Sequence, residues 1–305
     1  MFRLDSLERL AYTPSIINLT FPARLLGTAL RKDTAAPAGK VIKGVSLSFM
    51  YEIPDLVELL KTGAHFGHQV SKWHPKMKPY LFGSRNGIHI INLEATVEKL
   101  KTALDAARDI TAKGGVIVFL GTKRQASGIV EKYAKECGAP YITTRWLGGT
   151  FTNFPEISKL IKKLNEYRAK AASGGFDKYT KKERVIIDRE IADMERKVGG
   201  IASLTKLPEA LYVVDAKHEK TAVEEAGDKK VPIFAMLDSN INPEDIAYGI
   251  PANDDAVKSI ELITRLMSEA VSEGKKLREK DLASKKVEAA KAAPSDAAPT
   301  RVITA

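Results

Sequence analysis

Between Gly63 and Asn92 the chain carries Lys72, Lys76, Lys78 and Arg85, four histidines, Trp73 and Tyr80, and no acidic residue. A balanced surface does not account for thirty residues without a carboxylate. Cations free of carboxylates release counterions from phosphates, and Trp or Tyr rings stack on unpaired bases. The interleaving of the two therefore suits RNA better than duplex DNA. The alternative for Trp73 is a core ring, since large aromatics bury most of their area.

Other constellations are weighed the same way. His65 and His68, in HFGH, have a spacing found in metal sites, but no Cys pair or HExxH helix completes a four-ligand zinc set, so no metal is expected. GTKRQ at 121–125 follows an apolar run and opens a helical one, where backbone N–H groups attract an anion. It has neither the GxxxxGK[ST] nor the GxGxxG spacing, which argues against a nucleotide site. Lys123 and Arg124 are then either holders of an RNA phosphate or solvated side chains. WLGG at 146–149 makes an unusual turn beside Arg145, with Trp146 a core plug or a stacking surface. Asp215 and Asp238 end buried strands, where parallel-sheet enzymes place carboxylates. His218 is the one imidazole nearby and no nucleophile elbow follows. Strand-terminal Asp residues also commonly cap the next turn.

The elements that position these residues alternate in type. Leu56, Leu59 and Leu60 share a face of a short helix that Gly63 ends, and IHIINL at 88–93 reads as a strand. Val97, Leu100, Leu104, Ala107 and Ile110 recur as on an amphipathic helix. VIVFL at 116–120, PYIT at 140–143, ALYVVD at 210–215 and VPIFAML at 231–237 are strands, with helices over 123–137 and about 255–275. Apolar strands separated by helices predict a parallel sheet covered on both faces. Leu160, Leu164, Tyr167 and Ala171, then Ile187, Ile191, Met194 and Val198, predict an inserted antiparallel helical hairpin at about 154–206. Thr180 and Glu183 form a capping box at the start of its second helix.

Composition bounds the answer. With 305 residues, 44% hydrophobic and 28% charged, the chain can bury one or two sizeable cores. Its apolar runs are far shorter than the ~18–20 residues of a membrane span, which predicts no membrane partner. A single cysteine, Cys137, favours a reducing compartment such as the cytoplasm. The net charge of +10 is uneven: residues 63–206 hold twenty-six basic against fourteen acidic residues, and 207–273 hold six against fourteen. Such asymmetry fits one face that meets a polyanion. Residues 1–49 show no lasting period and read as a disordered extension, a transit segment or a mis-assigned start ahead of Met50. Residues 276–305, rich in Lys, Ala and Pro, read as a disordered tail.

GAHFGHQ at 63–69, WHPKM at 73–77, RNGIHIINL at 85–93, FLGTKRQA at 119–126, RWLGGTFTNF at 145–154, LPEALYVVD at 207–215 and IPANDDA at 250–256 resemble, in this order, the bacterial small-ribosomal-subunit protein S two (S2) family. The resemblance covers residues 50 to about 275. His74 and Phe151 stand where that family often has Asn and Leu, and Ser239 where it often has Thr. The resemblance implies an α/β fold, a flavodoxin-like doubly wound parallel sheet with an inserted antiparallel coiled-coil helical hairpin. It implies docking on small-subunit rRNA at the head–body junction, beside neighbouring ribosomal proteins. It further implies help in recruiting the large, mobile mRNA-binding protein, with no enzymatic activity, cofactor or small-molecule substrate. The matching RNA-facing candidates are Lys72, Trp73, Lys76, Lys78, Arg85, Asn86, Lys123, Arg124, Arg145 and Trp146. The competing expectation is a cytosolic α/β enzyme for a phosphorylated small molecule, with GTKRQ as anion site and Asp215 or Asp238 as acid or base. A free RNA-binding regulator is a third.

Overall fold

The structure, a computed structural model, describes residues 52–292, so the expectations for residues 1–49 and for the end of the tail lie outside the described residues. Asp55 accepts a hydrogen bond from Leu56 N at 2.8 Å and opens α1 (Leu56–Lys61). Gly63, at φ 75°, ends it in a left-handed conformation that costs a glycine little. Next come β1 (Phe66–Gln69), β2 (Leu81–Arg85) and β3 (Ile88–Ile91), an antiparallel sheet in the order β1–β3–β2. Only β3 is announced by the sequence pattern. β2 is exposed at four of its five positions, so no alternation of apolar and polar residues marks it. Asn86 and Gly87, at φ 52° and 75°, make the two-residue turn between β2 and β3, the left-handed pair that matches strand twist.

The larger sheet follows α2 (Leu93–Ala112), whose Asn92 cap accepts from Glu94 N at 3.0 Å. Its strands are β4 (Ile117–Leu120), β5 (Tyr141–Ile142), β6 (Ala210–Val213), β7 (Ile233–Leu237) and β8 (Tyr248–Pro251). All are parallel, in the order β5–β4–β6–β7–β8. Counted within this sheet the order is 2-1-3-4-5, the flavodoxin-like winding, with its direction reversing between β4 and β6. The helices between the strands are α3 (Ser127–Glu136), α4 (Phe154–Ala172), α5 (Lys181–Val198) and α6 (Lys220–Asp228), and α7 (Val257–Ala292) closes the fold.

Strict alternation within each strand fills both faces. Phe119, Tyr212, Phe234 and Met236 pack toward Leu100 and Leu104 of α2, Val130 of α3 and Leu266 of α7. Val118, Leu120, Leu211, Val213 and Leu237 pack the other way, toward Ile157, Ile161 and Leu164 of α4, Met194 and Val198 of α5, and Ala222 of α6. Each such large side chain contributes about 1.5–3 kcal/mol when fully buried. Tyr212 buries its hydroxyl too, against Thr264 Oγ1 at 3.0 Å, so the polar atom is not orphaned.

Three expectations need adjusting. GTKRQ does not open α3: Ala126 N and Ser127 N both bond Lys123 O, at 2.8 and 2.9 Å, in a turn that delays the helix to Ser127. The last helix does not stop near 275 but runs to Ala292. Lys, Ala, Glu, Leu and Arg dominate that stretch and are strong helix formers, and no proline occurs before Pro294. In the insertion, Thr180 and Glu183 form the expected capping box. Burial, however, is confined to its root. Leu160, Tyr167, Ile187 and Ile191 are half-buried, Ala171 is exposed, and no residue from 165 to 190 is buried.

Candidate nucleic-acid interface

The Pro75–Tyr80 turn sorts its residues by type. Met77 is fully buried in the core beneath the large sheet, which leaves Lys76 and Lys78 exposed on either side of it. His74 N bonds Ser239 O at 2.8 Å, tying this turn to the end of β7. Val70 N bonds Gly87 O at 2.9 Å, which sets the Val70–Lys72 turn against the tip of the β2–β3 hairpin. Lys72, Arg85 and Asn86 are therefore exposed at one end of the small sheet. Trp73 is half-buried, its ring 5.1 Å from that of His89.

Arg124 and Arg145 are exposed in the segments that follow β4 and β5, strands paired at Leu120 and Ile142. Among the described residues, Lys72, Lys78, Arg85, Arg124 and Arg145 make no ion pair, so these five cations remain free for phosphate. Lys76 differs, because its ammonium pairs with Glu244.

Lys123 faces inward. Its Nζ lies 3.2 Å from Asp215, 3.0 Å from Asp254 and 2.6 Å from Asp255, at the carboxyl ends of β4 and β6 where the sheet order reverses. Burial alone would lower the Lys123 pKa, but the bond to Asp255 and the charges of Asp254 and Asp215 outweigh it and raise it. The ammonium neutralises an internal cluster and is not presented to an outside phosphate. Asp215, at φ 65°, also accepts from Lys217 N and His218 N at 3.1 and 3.0 Å, the turn-capping role weighed for it above.

His68 joins the same cluster. Its Nδ1 is 2.9 Å from Asp238 and its Nε2 3.6 Å from Asp255, and the bond to Asp238 raises its pKa against the opposing pull of burial. Asp254 is pushed up to about 7, first by burial and then by Asp215 and Asp238. His68, Asp238 and Asp254 offer ligand atoms within 4.8 Å of one another, and Asp254 Oδ2 is buried without a partner, so this trio can hold a divalent cation. His65 takes no part in it. The HFGH pair is thus divided, and the carboxylates that complete the set come from the ends of β7 and β8. No spacing within one segment could reveal them.

Trp146 is a core plug. It is buried, edge-on to Phe151 at 5.1 Å, and its Nε1 donates to Glu225 Oε1 at 3.1 Å. Glu225 also accepts from Gly149 N at 2.8 Å, Phe151 N at 2.9 Å, and Thr152 N and Oγ1 at 3.2 Å. Burial would raise the Glu225 pKa, but these donors outweigh it and lower it. Sequence reasoning missed Glu225, whose position inside a short polar helix gives no local sign of its role.

The family model described as Ribosomal protein S2 matches residues 59–274. The chain is 46% identical over 225 residues to "Small ribosomal subunit protein uS2" of Nitratiruptor sp., covering 74% of this chain and 84% of that protein. It is 47% identical over 226 residues to the protein of that name from Chloroherpeton thalassium, covering 74% and 90%. A Flavobacterium johnsoniae protein, again so named, is 47% identical over 241 residues, covering 79% and 94%.

Proposed function

From the premise that this chain belongs to the ribosomal protein S2 family, we infer that it is a structural constituent of the small ribosomal subunit and not an enzyme. Small-subunit rRNA and neighbouring ribosomal proteins are its partners, and the ribosome of the cytoplasm is its place. Among the described residues, no helix is long and apolar enough to cross a membrane. The observation that carries the RNA-binding half of this reading is the set of exposed, unpaired cations Lys72, Lys78, Arg85, Arg124 and Arg145, with Met77 anchoring the turn of Lys78 and Glu225 the turn beside Arg145.

The cations fix orientation on phosphates, while Asn86 at the hairpin tip and the half-buried Trp73 meet irregular RNA. Lys123 and Trp146 support that surface from behind. The seven sequence motifs support a seat at the head–body junction and a part in recruiting the large, mobile mRNA-binding protein. The exposed acids of the 207–273 portion, such as Glu224 and Asp228, repel phosphate and suit a protein partner. The capping box and the root packing of α4 and α5 support an antiparallel helical hairpin with coiled-coil packing at its base.

Incorporation of variants into subunits tests this reading. Lys72→Glu with Arg85→Glu lowers incorporation, and Asp215→Asn, which keeps a turn-capping side chain, leaves it near normal. Equal loss in the two variants would contradict the assignment of the RNA face.

A further inference from the structure

We propose that the groove between α6 and the segment after β7 binds a basic peptide segment of a neighbouring small-subunit protein. The proposal rests on the ribosomal reading above and gives one protein contact within it a place and a chemistry.

The groove holds about 530 Å³, with α6 as one wall and residues 240–246 as the other. α6 turns Ala222, Glu225 and Ala226 inward, which leaves Lys220, Val223, Glu224, Gly227 and Asp228 as one helical stripe along the groove. The opposite wall is pinned at both ends. Ser239 O accepts from His74 N at 2.8 Å, and the Asn242 side chain accepts from Glu244 N at 3.3 Å and donates to Asp245 at 2.9 Å. Buried Ala216, Ile241 and Ile246, with half-buried Val223, make the floor apolar. From Lys220 to Asp228 the stripe runs roughly 12 Å, the length of about four residues of extended chain.

Charge selects the occupant. Asp228 and Asp245 stand exposed on opposite walls and form no ion pair among the described residues, while Glu224 meets Lys220 at 3.4 Å. Asp228 is also the last residue of α6, where a carboxylate opposes the helix dipole and a cation is favoured. Asn240 lines the same groove, and its Oδ1 has no hydrogen-bond partner among the described residues. Each of these groups is an acceptor lacking a donor. A lysine or arginine and the backbone N–H groups of an extended peptide supply donors, with an apolar side chain on the floor. An RNA phosphate is repelled by the same carboxylates.

The test uses assembled subunits. The full chain carrying Gly227→p-benzoylphenylalanine, or in parallel the same residue at exposed Lys217, is isolated in small subunits on sucrose gradients, irradiated, and its cross-links mapped by mass spectrometry. A Cβ at Gly227 meets no atom within 4 Å, so the substitution occupies the groove without disturbing α6. The expected result is a cross-link to a segment of another protein that carries lysine or arginine and no acidic residue beside the linked position. A synthetic peptide of that segment then binds the full-length chain in fluorescence anisotropy, and Asp228→Asn with Asp245→Asn weakens it by at least about tenfold. Cross-links only to rRNA, to a second copy of the chain or to an acidic segment, a peptide indifferent to the two substitutions, or incorporation with no cross-link from either position would overturn the proposal alone. Wild-type chain missing from the subunit fractions would overturn the ribosomal reading and this proposal with it.

Discussion

Glu225 and Trp146 are joined by a 3.1 Å hydrogen bond from the indole to the carboxylate, and the same carboxylate gathers the N–H groups of Gly149, Phe151 and Thr152. One acidic side chain on α6 thereby fixes the whole turn that carries Arg145. Glu225→Ala leaves several buried donors unpaired and is expected to destabilise the protein by about 3 kcal/mol or more, measured by urea unfolding. Because the folded pKa of Glu225 lies below its unfolded value, its contribution is fully present above about pH 4.5 and fades as pH falls through the folded value. The gap between wild type and Glu225→Ala therefore narrows in acid, and a gap that widened would contradict the sign.

Lys123 is predicted to matter for the fold and not for direct RNA contact. Lys123→Met strands Asp215, Asp254 and Asp255 without their shared cation. Removing one partner from a largely buried charge network costs about 3–5 kcal/mol. Asp255 is half exposed, so the lower end is expected. Thermal unfolding should show the loss. Normal stability combined with weak RNA binding would return Lys123 to the RNA face.

How much was legible in the sequence follows from where each signal resides. The parallel strands were readable because β4, β6 and β7 are buried on both faces and so appear as unbroken apolar runs. β1, β2 and β8 were not: they match β4, β6 and β7 in length, but β1 and β2 have no buried position and β8 only its last two, so neither run nor alternation marks them. Among the candidate residues, Lys72, Lys78, Arg85, Arg124 and Arg145 stand exposed, as a phosphate contact needs. The inward turn of Lys123 and the Glu244 partner of Lys76 depend on residues more than ninety positions away. Local spacing carries no trace of such pairs. The end of α7 was misjudged because a polar Lys/Ala stretch cannot form a core yet can still propagate a helix already seeded by packing.

The Lys76–Glu244 pair gives a graded prediction. Glu244 partly neutralises Lys76, so Lys76→Ala should weaken RNA binding less than Lys72→Ala. Glu244→Gln should strengthen it and steepen its salt dependence by up to about one unit of slope. Filter binding over a salt series reads this out, and a weakening by Glu244→Gln would count against it.

The trio His68, Asp238 and Asp254 predicts binding of a divalent cation. A hundredfold excess of zinc or manganese over its dissociation constant should add about 2.7 kcal/mol of stability. Asp254→Asn should abolish that increment, whereas His65→Ala should preserve it. An unchanged Tm on metal addition to metal-free protein would refute the site.

The central claim is membership of the small subunit, and sedimentation of a native lysate through sucrose, with mass spectrometry of each fraction, tests it most directly. The protein is expected to travel with the small subunit at low and moderate salt. Protein that stays at the top of the gradient under both conditions, while other small-subunit proteins sediment, would contradict it.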